Sequence, residues 1–214
     1  MPYFKNDNIN LLFIHIPKTG GSSLEEYFSY KYNIPLNNKS LYLFLSTENE
    51  ENNNIIIDSS LQHLSYETIM KYKEYFQIDA SNIEIISIVR NPYNRIISDL
   101  FFFKKINIDS SKEDVYNEVV TYFTEYNDNH VTPQYLFITD ENKQLIKDIK
   151  LLKTESLTDD MINLGYTDFN IISNANPNKL EYDDYLNDES INLINNFYEE
   201  DFKILGYDKR IVDC

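Results

Sequence analysis

Residues 11–23 read Leu-Leu-Phe-Ile-His-Ile-Pro-Lys-Thr-Gly-Gly-Ser-Ser, and this stretch decides the fold. The apolar run at residues 11–16 predicts a buried strand that ends at Pro17. A helical pattern follows at residues 22–32, directly after a short loop. A strand, a tight loop and a helix start together predict an anion site, because backbone N–H groups and the positive end of the helix dipole point at one place.

The loop between the strand and the helix carries further groups suited to an anion. Lys18 adds a mobile positive charge to the backbone N–H groups. The whole chain has four glycines, and two of them, Gly20 and Gly21, lie here side by side. Glycines so placed indicate a backbone that approaches a ligand closely. The loop therefore predicts a site for a phosphate or sulfate group.

Length and composition limit the class of protein. A chain of 214 residues predicts one α/β domain over 1–214, with two small lobes as the alternative. No run approaches the ~20 apolar residues of a membrane span, and the N-terminus lacks the regions of a signal peptide. The single cysteine, Cys214, is the last residue, so no internal disulfide is expected. These features predict a cytoplasmic protein without a membrane span.

The formal net charge of −16 bears on the partners. Nucleic-acid binding relies on basic surface, so the charge argues against it. It also argues against a strongly anionic polymer as substrate, unless the few cations cluster in one cleft. Most of the acidic residues are interpreted as a solvated surface.

Further apolar and helical segments alternate along the chain. Their order predicts a P-loop-like, three-layer α/β fold, in which a central parallel sheet is flanked by helices. Residues 37–54 are polar and are interpreted as an irregular surface segment, either a lid over an acceptor or a flexible insertion. A loop is expected at 174–179. A short apolar run lies at 55–57, and the other predicted strands are 83–89 and 149–152. The other predicted helices are 65–76 (capped by Ser65), 92–105, 112–126, 156 or 157 to 164, and 189–202.

A second motif, Ile88-Val-Arg-Asn-Pro-Tyr-Asn-Arg-Ile-Ile-Ser98, again ends a strand and starts a helix. Ligands of open α/β sheets bind outside the carboxyl ends of the strands, so Arg90 is expected to share a crevice with the Lys18 loop. The guanidinium of Arg90 and the hydroxyl of Ser98 form a suitable receptor for a second phosphate. The alternative is that Arg90 caps a sheet edge or pairs with a surface acid.

Both motifs, His15-Ile-Pro-Lys-Thr-Gly-Gly-Ser-Ser and Val89-Arg-Asn-Pro-Tyr-Asn-Arg…Ser98, resemble the cofactor motifs of the sulfotransferase superfamily. More narrowly, they resemble the carbohydrate branch that includes the heparan sulfate 2-O- and 6-O-sulfotransferases. The resemblance extends over about residues 10–207. Its supporting segments are Gln62-His-Leu-Ser-Tyr, His130-Val-Thr-Pro-Gln134, Leu151-Leu-Lys-Thr-Glu-Ser-Leu and Asp201-Phe-Lys-Ile-Leu-Gly-Tyr207.

The resemblance implies that 3′-phosphoadenosine 5′-phosphosulfate (PAPS) is the donor and that its sulfuryl group is transferred to an acceptor hydroxyl without a divalent metal. Lys18 would neutralise the charge that grows on the bridging oxygen. Arg90 and Ser98 would hold the 3′-phosphate. The 5′-phosphosulfate would lie in a cradle of five residues: Thr19, Gly20, Gly21, Ser22 and Ser23.

His63 is the candidate general base, since an imidazole accepts a proton at neutral pH. The alternative is a histidine that bonds a backbone carbonyl at a strand end. His15 is expected to pack or to orient the loop. His130 and Gln134 either line the acceptor cleft or support the second motif. Glu155 is expected to organise the loop after its strand.

The chain also departs from the heparan-modifying enzymes, because it shows neither a membrane anchor nor a basic acceptor groove. A glycan is the favoured acceptor, with a small hydroxylated metabolite or a protein tyrosine as alternatives. A P-loop kinase needs its glycines before the lysine, whereas Lys18 precedes Gly20 and Gly21. A second alternative is a nucleotide-binding protein of the same fold without turnover. The joint presence of Lys18, His63, Arg90 and Ser98 argues against it.

Overall fold

Four strands form the central sheet of the computed structural model, which describes residues 2–36, 44–46, 56–170 and 182–212. Within the described ranges the strands in chain order are β1 (Tyr3–Asn6), β2 (Ile9–Ile14), β3 (Phe44–Ser46), β4 (Ile56–Ser60), β5 (Glu84–Val89) and β6 (Lys150–Lys153). The sheet has the order β1-β2-β5-β6. The β2–β5 and β5–β6 pairs are parallel, as predicted. Strand β1 was not predicted and pairs antiparallel with β2 at the edge.

A small second sheet consists of β3 and β4, which pair antiparallel. The prediction of an irregular segment at 37–54 is therefore wrong at Phe44–Ser46, where strand pairing outweighs the weak local pattern. The rest of 37–54 lies outside the described residues, as does the predicted loop at 174–179. The importance of this sheet is that β4 leads directly into a 3-10 helix, Leu61–His63, which carries His63.

Local signals in the sequence set several helix starts. Ser65 caps its helix by accepting a hydrogen bond from the Thr68 N–H, and Pro92 lies in the first turn of its helix. In the described ranges the α-helices are α1 (Gly21–Tyr32), α2 (Tyr66–Lys71), α3 (Pro92–Phe102), α4 (Lys112–Glu125), α5 (Tyr135–Ile138), α6 (Leu157–Asn163), α7 (Asp188–Phe197) and α8 (Glu199–Leu205). Two more 3-10 helices cover Thr154–Ser156 and Tyr182–Tyr185.

The prediction of one closing helix at 189–202 is wrong, because the chain bends at Tyr198 between α7 and α8. Asp201 on α8 accepts hydrogen bonds from the backbone N–H groups of Gln134 and Tyr135. These tertiary contacts favour the break, whereas the local pattern alone favours one continuous helix.

Helices cover both faces of the sheet, as predicted. Side chains alternate between the faces of a strand, so neighbouring residues of β2 enter different cores. Leu12 packs in a core with Ile69 of α2 and Phe137 of α5. Leu11 packs in the opposite core with Leu24 of α1. In the part of the chain that the structure describes, no helix is both long and apolar enough to cross a membrane.

Candidate active site

The carboxyl ends of three parallel strands meet at one point of the molecule. Thr154, directly after β6, places its hydroxyl oxygen 2.7 Å from the carbonyl oxygen of Thr19 and 3.1 Å from that of Val89. One side chain therefore contacts the loop after β2 and the end of β5. The two sequence motifs lie beside each other, as the order of the strands predicts.

The loop after β2, for which the sequence predicts an anion site, has a tightly turned backbone. Lys18 and Gly20 both have positive φ, 64° and 86°. Gly20 is the N-cap of α1, and no side chain caps the helix there. The start of α1 therefore offers its positive end to a ligand. Thr19 is fully buried and its hydroxyl donates to the Ile16 carbonyl at 2.9 Å, so it braces the loop from within.

Gly21 fits against an imidazole ring. A Cβ atom added at this position would lie 2.4 Å from both Cδ2 and Nε2 of His15. Such a distance is far below van der Waals contact, so only glycine is tolerated with the ring in place. The second glycine of the pair is therefore required by packing, whereas Gly20 is required by its left-handed conformation.

The Lys18 ammonium lies over an aromatic ring. Its Nζ atom is 3.7 Å from the ring centroid of Phe102, a side chain of α3 that is 60% exposed. Burial lowers the pKa of Lys18 to about 8; the charge of Asp99 raises that pKa in part, and the charge of Arg90 lowers it further. The loop thus holds a partly desolvated cation with a pKa of about 8.

Arg90 connects the two motifs directly. Its Nη1 atom donates to the Lys18 carbonyl oxygen at 3.1 Å. Its backbone N–H donates to Oε1 of Gln134, and its backbone carbonyl accepts from Nε2 of the same side chain. Arg90 is half-buried directly after β5, and its guanidinium contacts the Lys18 loop.

His130 and Gln134 make the contacts of supporting residues. Gln134 is fully buried and holds the backbone of Arg90 on both sides, which leaves no surface for an acceptor. His130 donates from Nδ1 to the buried carboxylate of Asp99 at 2.8 Å. Its ring also lies parallel to that of Phe102, with 6.1 Å between the centroids. Of the two alternatives from the sequence, the one in which they support the second motif matches these contacts.

Arg95 is a site residue to which the sequence analysis assigned no role. It is buried, donates from Nε to the Pro17 carbonyl at 3.1 Å and from Nη2 to the His130 carbonyl at 2.6 Å. The signal in the sequence was an arginine on the apolar face of α3.

Ser98 lies three residues after Arg95 and four before Phe102, and so on the face of α3 that meets the Lys18 loop.

His63 lies on the 3-10 helix that follows β4 and contacts the residue directly after β2. Its Nδ1 atom is 2.9 Å from the backbone carbonyl oxygen of His15. Burial lowers the pKa of His63 well below 6.5, and the nearby charge of His15 lowers it further, while the hydrogen bond to the His15 carbonyl opposes these effects. His63 is therefore a neutral imidazole at physiological pH.

The three histidines form a row of ring contacts. The centroids of His15 and His63 are 4.6 Å apart, and those of His63 and His130 are 5.6 Å apart. Buried carboxylates flank the row, because Glu25 accepts from His15 and Asp99 accepts from His130. Within residues 2–36, 44–46, 56–170 and 182–212, no cluster of His, Cys, Asp and Glu has the arrangement of a metal site.

Glu155 was expected to organise the loop after its own strand, β6, but its hydrogen bonds hold the junction between β5 and α3 instead. Its Oε1 atom accepts from the Asn91 N–H at 2.8 Å, and its Oε2 atom accepts from the Tyr207 hydroxyl at 2.9 Å. The carboxylate thereby supports the start of α3 directly after Arg90.

Comparison with known proteins gives one family. The profile described as "Sulfotransferase family" matches residues 1–208. A search of curated proteins finds no match to the chain. The family match spans both motifs, the three strand ends and the histidine row. On this evidence the chain belongs to the sulfotransferase family.

Proposed function

We propose that this protein transfers the sulfuryl group of PAPS to an acceptor hydroxyl, with a carbohydrate as the favoured acceptor. The observation that carries the proposal is the hydrogen bond from the Arg90 guanidinium to the Lys18 carbonyl, 3.1 Å long. It brings the cations of both motifs into one crevice at the end of the sheet. PAPS carries anionic groups on the 3′ and 5′ positions of its ribose, and the two cations are proposed as their receptors.

The residues of the loop fit the 5′-phosphosulfate. The start of α1 has no side-chain cap, and the ammonium of Lys18 lies over the Phe102 ring. Thr19, Gly20, Gly21, Ser22 and Ser23 are proposed to form the cradle, with Thr19 contributing through its backbone. When bound, the donor supplies an activated sulfuryl group.

The second receptor is proposed for the 3′-phosphate. Arg90 is fixed by Gln134 at the end of β5, and Ser98 lies on the adjoining face of α3. A guanidinium recognises phosphate through paired N–H groups, and charge-assisted hydrogen bonds are the strong ones. This receptor would separate the donor from ATP, which has no phosphate at that position.

Two groups of the chain are proposed to carry the chemistry. Lys18 places a positive charge where negative charge develops as the sulfuryl group leaves. His63 keeps an unprotonated Nε2, because its Nδ1 proton is directed at the His15 carbonyl. Nε2 would accept the proton of the acceptor hydroxyl as the hydroxyl oxygen attacks.

The proposal of a carbohydrate acceptor depends on the resemblance of the motifs to the carbohydrate branch. The net charge of −16 favours a neutral glycan over a polyanionic one. A screen with labelled donor distinguishes the acceptors: a neutral oligosaccharide, a heparan-type polyanion, a small hydroxylated metabolite and a tyrosine peptide are offered in parallel.

Calorimetry tests the donor site without depending on the acceptor. The product 3′-phosphoadenosine 5′-phosphate (PAP) is titrated beside AMP and ATP, with no added metal. We expect PAP to bind most tightly, and Arg90→Ala to weaken PAP by about 10- to 100-fold while leaving AMP nearly unchanged, since one or two charge-assisted hydrogen bonds are lost. Equal or tighter binding of ATP, or a requirement for Mg²⁺, would favour a kinase instead.

A further inference from the structure

Glu25 connects two segments that are far apart in the sequence. Its carboxylate is 3% exposed and lies on the inner face of α1. Oε1 lies 2.5 Å from Nδ1 of His15, at the end of β2. Nε2 of Gln62 donates to both carboxylate oxygens, at 3.1 Å and 3.0 Å. One buried side chain therefore ties β2 to the 3-10 helix after β4.

Both segments hold His63. Gln62 is the residue directly before it, so the clamp on Gln62 fixes the backbone from which the imidazole extends. His15 supplies the carbonyl oxygen that accepts the Nδ1 proton of His63. Glu25 therefore contacts the side chains of both residues that hold His63, namely Gln62 and His15.

Glu25 is also linked to the donor loop. It lies four residues after Gly21, which is about one helical turn from the start of α1. The helix that begins at the anion cradle therefore carries the clamp for the imidazole. A rigid helix relates the two, so any displacement of α1 moves the cradle and the clamp together.

We propose that Glu25 is a positioning residue that, together with its partner Gln62, holds His63 in the tautomer and place required of a general base. The inference rests on the proposed function, because the role of His63 as base belongs to it. A structural role alone would affect folding but would leave the tautomer and the turnover of the folded protein unchanged.

Three substitutions at one helix test the inference by turnover. Glu25→Ala should lower kcat by about 100-fold, the effect expected when a reacting group is displaced by about 1 Å. Glu25→Gln should recover most of the loss. The new amide oxygen can still accept from His15, and its NH₂ group can donate to the Gln62 side-chain oxygen once the Gln62 amide has rotated by about 180°. Glu26→Ala, which removes an acidic side chain from the next position of α1, is the matched control and should retain kcat.

A double-mutant cycle separates positioning from a general loss of stability. In a His63→Ala background the base is absent, so Glu25→Ala should produce no further loss of kcat. An equal loss in both backgrounds, or a folded Glu25→Ala protein with the kcat of the wild type, would overturn the inference. PAP affinity should stay within about twofold of wild type in every variant, because no donor contact is removed.

A readout without donor or acceptor makes failure of the inference distinguishable from failure of the proposed function. In ¹⁵N spectra of the imidazole, the His63 of the wild type should show one tautomer, protonated at Nδ1. Glu25→Ala should give a mixture of both tautomers, and an unchanged spectrum would contradict the inference. If the wild type binds no PAP but Glu25→Ala still changes the His63 tautomer, the proposed function is refuted and the positioning role of Glu25 stands.

Should Glu25→Ala fail to fold, Gln62→Leu replaces it. This variant removes one partner of the clamp and leaves Glu25 paired with His15. We expect it to lower kcat by about 10-fold and to broaden the His63 signals. A folded Gln62→Leu protein with unchanged kcat and an unchanged spectrum would overturn the proposal.

Discussion

His63 donates its Nδ1 proton to the backbone carbonyl oxygen of His15 across 2.9 Å. A carbonyl oxygen only accepts, so the proton must reside on Nδ1 and the lone pair on Nε2. The bond to a carbonyl is the contact that a purely structural histidine would also make. Here it leaves the second nitrogen unprotonated, so the two interpretations of His63 describe one arrangement.

His63→Ala should abolish most of the turnover and preserve the donor site. Loss of a general base costs about 10²- to 10⁴-fold in kcat, since the acceptor hydroxyl then loses its proton to water. Transfer from labelled PAPS measures the rate, and calorimetry with PAP should give an affinity within about twofold of wild type. Unchanged turnover would remove His63 from the mechanism.

The pH profile of kcat/KM should have an alkaline limb near pH 8. The pKa of Lys18 is lowered to about 8, mainly by burial, so the ammonium loses its charge as the pH rises through that value. The profile of kcat/KM reports this group in the free protein, and the activity should decline above pH 8. The acid limb should lie well below pH 6.5, because the lowered pKa of His63 keeps the imidazole neutral until then.

The variants Asp99→Asn and Tyr122→Phe test whether the alkaline limb belongs to Lys18. Asp99 raises the pKa of Lys18 and accepts a hydrogen bond from the Tyr122 hydroxyl at 2.6 Å. Asp99→Asn removes the negative charge and should move the limb to lower pH. Tyr122→Phe removes a hydrogen bond but keeps the charge, so its limb should stay in place. A limb that is the same in all three proteins would belong to another group.

Alanine should destabilise the protein more at Gly21 than at the adjacent Gly20. A Cβ at Gly21 would meet the His15 ring at 2.4 Å, and overpacking of this kind costs about 1–3 kcal/mol or more. At Gly20 the nearest atom is 3.8 Å away, so only the left-handed backbone is penalised, by about 1–2 kcal/mol. Urea unfolding measures both.

Gly165→Ala is the control for the backbone effect. Gly165 also has a positive φ, 93°, and no atom lies within 4 Å of an added Cβ. Its loss of stability should equal that of Gly20→Ala. Since His15 must move in Gly21→Ala, that variant should also lose turnover, whereas equal stability of the Gly20 and Gly21 variants would contradict the packing argument.

Local patterns allowed much of the fold and part of the site to be predicted. The apolar run before Pro17, the hydroxyl of Ser65 and the ring of Pro92 act on their own neighbours in the chain, so strand ends and helix starts follow from them. The parallel order of the strands then brought Lys18 and Arg90 together. The roles assigned to them and to His63 in catalysis stay predictions.

Long-range contacts could not be predicted in the same way. Strand β1 carries too short an apolar signal and is defined by pairing with β2. The bend at Tyr198 depends on Asp201 meeting the start of α5. Arg95 had an ordinary helical position, and only the folded chain shows that it joins Pro17 to His130.

The sequence by itself determined the order of the main strands and helices, the position of the glycine loop between β2 and α1, and the sulfotransferase family, because each depends on short segments of neighbouring residues. Only the tertiary structure decided which buried groups meet. Glu25 and Gln62 are 37 positions apart, and their hydrogen bonds form only when α1 and the 3-10 helix Leu61–His63 both pack against β2. The physical reason is that local propensity acts within a few residues, whereas a buried carboxylate must find its partners wherever packing places them.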